Sequence, residues 1–219
     1  MKPLFPTDLD HTAVKICGIT TGEQAEAIVE LGADALGINF WPRSKRFISL
    51  DEASPWLRDL EGTVPRVAVT VNASDEELRA IHESGALDFI QLHGDERPDR
   101  VESLTQQGLP VFKAIGVKDR EMLQQAAGFS SATLLLDAYA PVEYGGSGET
   151  MDWALGAEAV QEWADRQIVL AGGLKAANVA EAIKQVRPAG VDVASGVESE
   201  PGVKDLSTVE AFIEAARSA

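Results

Sequence analysis

Residues 13–40 read AVKICGITTGEQAEAIVELGADALGINF. A β-branched and aliphatic run, Ala13 to Cys17, meets a turn at Gly18. An amphipathic segment, Gly22 to Leu31, follows, and a second apolar run, Asp34 to Phe40, ends the unit. Ala25, Ile28, Val29 and Leu31 recur at helical spacing, which leaves Glu23, Glu26 and Glu30 for solvent. Continuous apolar strands alternating with amphipathic helices mean a parallel sheet covered by helices, because such strands are buried on both faces.

The same unit recurs about eight times along the chain. The later strand candidates are Arg66 to Val71, Phe89 to Leu92, Val111 to Ile115, Thr133 to Asp137, Ile168 to Ala171 and Val191 to Ala194. The helix candidates between and after them are Leu50 to Leu60, Ser74 to Ser84, Arg97 to Gln107, Asp119 to Ala127, Asp152 to Ala164, Ala176 to Gln185 and Leu206 to Ala216. Ser74 ahead of Asp75, Glu76 and Glu77 is an N-cap with an acidic first turn, and Gly85 and Gly108 follow the third and fourth helices. Eight units predict closure into a single (β/α)8 TIM barrel with parallel strands over residues 13–219, preceded by a short leader, Met1 to Thr12, open to fraying. A doubly wound open sheet is the alternative, but Cys17-Gly18-Ile19-Thr20 stands where its dinucleotide fingerprint would be.

A chain of 219 residues fits one such domain. A formal charge of −16 disfavours nucleic acid and anionic membrane as partners, so an anionic ligand requires a local positive field. A single cysteine cannot form an intrachain disulfide, which fits a reducing, cytoplasmic setting. No run approaches the length of a membrane span, and the three histidines show no metal-ligand spacing.

Barrel enzymes carry their chemistry at strand C-termini. Two reactive side chains stand there, Cys17 after the first strand and Asp137 after the sixth. Asp137 ends the run Leu134-Leu135-Leu136, where a carboxylate must face a polar opening or be paired. Lys15 lies two residues before Cys17 and shares its face, so on an interior face its ammonium would favour a thiolate. Glycine clusters follow the last three strands: Gly145-Gly146-Ser147-Gly148, Gly172-Gly173 and Ser195-Gly196. Backbone N–H groups of such loops can wrap a phosphate. Arg46, in a basic run after the second strand, is suited to a bidentate grip on a carboxylate. Gln91 and His93, at the end of the fourth strand, are candidates for substrate contact.

Val14-Lys15-Ile16-Cys17-Gly18-Ile19-Thr20 resembles the opening motif of the phosphoribosylanthranilate isomerase family of tryptophan biosynthesis. The likeness continues through Ser44-Lys45-Arg46-Phe47, Gln91-Leu92-His93-Gly94-Asp95-Glu96, Leu135-Leu136-Asp137, Leu170-Ala171-Gly172-Gly173 and Val191-Asp192-Val193-Ala194-Ser195-Gly196-Val197-Glu198. Ser147, Met151, Ala194 and Thr70 depart from the residues usual in the family. The resemblance implies a cofactor-free Amadori rearrangement of a phosphorylated small molecule by a monomer or homodimer. It implies Asp137 as general acid, Cys17 as general base, Arg46 on the anthranilate carboxylate and the glycine loops on the phosphate. Two alternatives remain open from the residues. An indoleglycerol-phosphate synthase would use a lysine acid, for which Lys113 is available, and a ligand sensor would have kept the barrel without the chemistry.

Overall fold

The computed structural model describes residues 2–139 and 150–219. Eight parallel strands close into a barrel in sequence order. The strands are β1 (Ala13–Cys17), β2 (Ala35–Asn39), β3 (Arg66–Thr70), β4 (Phe89–Leu92), β5 (Val111–Val117), β6 (Thr133–Ala138), β7 (Gln167–Leu170) and β8 (Gly190–Val193). The helices around them are α1 (Gly22–Glu30), α2 (Leu50–Asp59), α3 (Asp75–Glu83), α4 (Pro98–Gln106), α5 (Arg120–Ala126), α6 (Trp153–Glu162), α7 (Val179–Val186) and α8 (Leu206–Arg217). Closure comes from β1 pairing with β8, Ala13 opposite Gly190 and Lys15 opposite Asp192.

Strand alternation sorts side chains into two cores. Ala13, Ala35, Val67, Phe89, Phe112, Ala114, Leu135 and Val169 fill the barrel interior. Val14, Ile16, Leu36, Ile90, Leu92, Leu134 and Leu136 face outward and pack on the helices. Helix starts are chemically specified: Ser49 with Glu52 and Ser74 with Glu77 form reciprocal capping boxes.

The leader does not fray at its apolar pair. Leu4 and Phe5 are buried and belong to the interior core. The Leu4 N–H donates to Thr133 Oγ1 (3.0 Å) and the Phe5 N–H to Gln167 Oε1 (3.0 Å), while Gln167 Nε2 donates to the Phe5 carbonyl (2.8 Å). Thr133 and Gln167 begin their strands, so the leader forms the floor of the barrel.

The segment after β8 holds structure that no apolar periodicity announces. Between β8 and α8 lie a 3-10 turn (Ser195–Val197) and a small antiparallel pair, β9 (Glu198–Glu200) and β10 (Val203–Lys204). The strands are too short and polar to show periodicity, although Pro201-Gly202 between them is a turn signal. The hairpin is tied to the β1α1 loop by Thr20 Oγ1, which donates to the Gly202 carbonyl (2.7 Å).

Replacing Phe5 by alanine opens a cavity in the floor and should lower stability by about 3–5 kcal/mol in urea unfolding. A loss below about 1 kcal/mol would show that the leader is not part of the core.

Candidate active site

Cys17 ends β1 facing the barrel mouth and is only 9% exposed. Lys15, one step deeper on the same face, is fully buried, and its Nζ donates to Asp192 Oδ1 at 2.6 Å. Gly37, opposite Cys17 on β2, leaves room for both side chains, since a Cβ there would lie 2.7 Å from Cys17 Sγ and 2.9 Å from Lys15 Nζ. The Lys15 ammonium does act on the thiol, as its position suggested, but burial outweighs it and pushes the Cys17 thiol up rather than down. The Asp192 carboxylate adds to that rise, because its negative charge disfavours a second one on the sulfur. On Lys15 itself burial acts downward, yet Asp192 and Cys17 together hold it above the usual lysine value.

Arg46 reaches the site from the β2α2 loop, crossing over Gly18, whose φ of +81° and missing Cβ let the guanidinium stem pass. Its Nε and Nη2 donate to the two oxygens of Glu198 at 2.8 and 2.7 Å. The two-pronged edge suited to a ligand carboxylate thus holds a carboxylate of the chain itself. Among the described residues Nη1 has no hydrogen-bond acceptor. Lys204 Nζ donates to the same Glu198 (2.8 Å), so β9 and β10 place one carboxylate between two cations. Burial acts upward on Glu198, but bonds from Arg46 and Lys204 prevail and hold its carboxyl below the usual range.

On the far side of the mouth, Asp137 points inward from β6, alternating with the outward Leu134 and Leu136. Its Oδ1 accepts from the Ala138 N–H (2.8 Å), and its Oδ2 lies 3.4 Å from His93 Nε2. His93 Nδ1 lies 3.4 Å from Gln91 Nε2. Gln91, His93 and Asp137 therefore form one row across β4 and β6. Gln91 Oε1 is buried and finds no donor among the described residues, an orphaned acceptor of the kind that a ligand satisfies.

Gly172 and Gly173, both at positive φ, follow β7, and Ser195 and Gly196 lie in the 3-10 turn after β8. Asn178 Nδ2 donates to the Gly173 carbonyl (3.1 Å), and its Oδ1 accepts from the Lys175 N–H (2.7 Å). That bracing uses residues 176–178 in the loop, which is why α7 starts later than Ala176. Among the described residues, the N–H groups of Gly172, Gly173, Ser195 and Gly196 have no hydrogen-bond acceptor. Gly145, Gly146, Ser147 and Gly148 lie outside the described residues. No three His, Cys, Asp or Glu side chains among the described residues gather to hold a metal.

Lys113, which kept a lysine-acid alternative open, points the other way. Its strand neighbours Phe112 and Ala114 line the interior, whereas Lys113 pairs in register with the outward Leu92. Its Nζ donates to the carbonyls of Leu92 (3.0 Å), Gly94 (2.8 Å) and Ala114 (2.8 Å) and to Glu96 Oε2 (3.0 Å). Glu96 in turn accepts from the N–H groups of Asn72 (2.8 Å) and Gly94 (2.9 Å). This buried pair shapes the β3α3 and β4α4 loops and leaves no free donor to act as an acid.

Residues 14–215 match the family model of N-(5'-phosphoribosyl)anthranilate (PRA) isomerase. The chain belongs to this family. A curated relative from Trichlorobacter lovleyi, an N-(5'-phosphoribosyl)anthranilate isomerase, is 45% identical over 94% of this chain and 98% of its own. The crystal structure of the phosphoribosyl anthranilate isomerase of Thermotoga maritima superposes with a TM-score of 0.84 at 38% identity, over 95% of this chain and all of that one. A phosphoribosyl anthranilate isomerase solved in complex with reduced 1-(o-carboxyphenylamino)-1-deoxyribulose 5-phosphate matches with a TM-score of 0.81 at 37% identity, over 95% of this chain and 100% of that chain. As a member of the PRA isomerase family the chain is an isomerase on a (β/α)8 barrel. Among the described residues, no helix is long and apolar enough to cross a membrane.

Lys113→Met leaves Glu96 buried without its cation and should cost about 3–5 kcal/mol of stability. Removing both charges, in Lys113→Met with Glu96→Gln, should recover part of that loss in the same urea titration. Additive losses would mean that the two side chains act independently.

Proposed function

We propose that this PRA isomerase family member carries out the Amadori rearrangement of N-(5-phosphoribosyl)anthranilate to 1-(2-carboxyphenylamino)-1-deoxyribulose 5-phosphate, with Asp137 as general acid and Cys17 as general base. The observation that carries the assignment is placement: two proton-transfer groups enter one mouth from β1 and β6, across the barrel from each other. Asp137 protonates the furanose oxygen and the ring opens to a Schiff base. Cys17 removes the C2 proton, and the resulting enolamine tautomerises to the ketone. The row of Gln91 and His93 orients the Asp137 carboxyl, and the orphaned Gln91 Oε1 accepts from a sugar hydroxyl.

Loops after β7 and β8 supply the phosphate site through the N–H groups of Gly172, Gly173, Ser195 and Gly196, and the glycine-rich stretch Gly145 to Gly148, outside the described residues, is a further candidate for it. Arg46 meets the anthranilate carboxylate with Nη1 while Glu198 keeps the other edge. A phosphorylated metabolite and a working free thiol suit the cytoplasm.

Cys17→Ser and Asp137→Asn should each lower kcat about 10²-fold or more while product still binds, as general acid–base residues do. Near wild-type turnover in either variant removes that residue from the mechanism. Arg46→Ala should act chiefly on KM, and a severe fall in kcat at constant KM would sink the carboxylate role. Because burial pushes the thiol up and the base acts deprotonated, kcat/KM should keep rising as pH climbs past about 7. A plateau reached on the acid side would point to a different base.

A further inference from the structure

A second group of buried charges lies beneath the acid and base, and the mechanism above makes no use of it. Lys15 is fully buried, out of reach of solvent, and its ion pair with Asp192 crosses the seam where β1 meets β8. Buried ion pairs are weak contributors to stability, because desolvation offsets their attraction and apolar residues of like volume serve as well. In the layer below, the same seam pairs Ala13 with Gly190 and carries no charge. The pair therefore calls for a role other than holding the barrel shut.

The groups that act on the Cys17 sulfur come from every element around it. Lys15 lies on β1, Asp192 on β8, Lys204 on β10 and Arg46 on the β2α2 loop, with Glu198 of β9 bonded to both Arg46 and Lys204. Three cations face two carboxylates. With a neutral thiol this cluster carries one surplus positive charge, and with a thiolate it is balanced. Arg46 and Lys204 share Glu198 and Lys15 is paired with Asp192, but Lys15 is the cation on the sulfur's own strand and face, and a Cβ at Gly37 would lie 2.7 Å from Cys17 Sγ and 2.9 Å from Lys15 Nζ.

We propose that Lys15, held in place by Asp192 across the barrel seam, is the positioning residue that supplies the positive charge facing the Cys17 sulfur. Asp192 has two opposed effects: it fixes the ammonium and it tempers its field. The pair thus sets the fraction of Cys17 present as thiolate. This inference rests on Cys17 as the base, and it adds a positioning residue to that reading.

Cys17 is the only cysteine, so any thiol signal from the protein reports this residue alone. The test follows thiolate ultraviolet absorbance and iodoacetamide alkylation against pH in the folded, ligand-free enzyme. Lys15→Met should raise the titration midpoint by about one unit or more, since a nearby opposite charge shifts a group by roughly one to three units, and Asp192→Asn should lower it, since a like charge disfavours the thiolate. Should Lys15→Met fail to fold with Asp192 unpaired, Lys15→Met combined with Asp192→Asn provides the uncharged pair, whose midpoint should lie above that of Asp192→Asn. In each variant the acid limb of kcat/KM should move with the thiol midpoint. A shift of both single variants in the same direction, an unmoved midpoint, or lost turnover with an unmoved midpoint would overturn the proposal. These titrations use no substrate, so they are separate from the Cys17→Ser assay: wild-type turnover in Cys17→Ser would remove the base while leaving the charge coupling intact.

Discussion

The β1–β8 seam is the contact on which both architecture and chemistry depend. Parallel strands expose hydrogen-bonding edges, and an open eight-stranded sheet would leave two of them. Pairing Val14 with Val191 and Ile16 with Val193 removes both edges and turns the sheet into a barrel. The same register sets Lys15 beside Asp192 on the inner face, one step below Cys17. A slip of one residue would send those charges into the outer, apolar layer against the helices, where nothing could satisfy them. Closure and the polarity of the mouth are therefore a single constraint.

The interior divides along the barrel axis. Its lower half is apolar and filled by Leu4, Phe5, Phe89, Phe112 and Leu135. Its upper half carries Lys15, Asp192, Cys17, Gln91 and Asp137. Charges held over an apolar floor with little solvent interact more strongly than they would at the surface. That is why burial dominates the Cys17 thiol, and why Asp192 and Cys17 together hold Lys15 above its ordinary value. In a chain with formal charge −16, Lys15, Arg46 and Lys204 stand around Cys17 with only Asp192 and Glu198 to balance them, a local excess of positive charge.

The paired loops above the strands come from tertiary contacts that join distant parts of the chain. Arg46 and Glu198 are separated by 152 residues and Lys113 and Glu96 by 17, yet each pair locks two loops into one surface. The first fixes the β2α2 loop to the hairpin that follows β8, and the second fixes the loops after β3 and β4. The first joins two segments above the strands, and the second reaches from β5 to the loops at the C-terminal ends of β3 and β4.

Sequence alone determined the eight β/α units, because burial on both faces of a strand and on one stripe of a helix must be written into local residue order. It also singled out Cys17 and Asp137, since reactive side chains at the ends of apolar runs stand out one residue at a time, and the motifs around them carried the family. What the pairs do was not legible. Lys15 could be placed on the face of Cys17 by alternation, but its partner Asp192 lies 177 residues away and is brought to it only by closure. Arg46 read as a free carboxylate clamp because Glu198 sits on a hairpin too short to leave a periodic signal. Lys113 read as a strand-end lysine, and only the register with Leu92 showed that it faces outward. The direction of the thiol's proton affinity was likewise decided by tertiary structure, because burial is a property of everything packed around a residue and not of its neighbours in the chain.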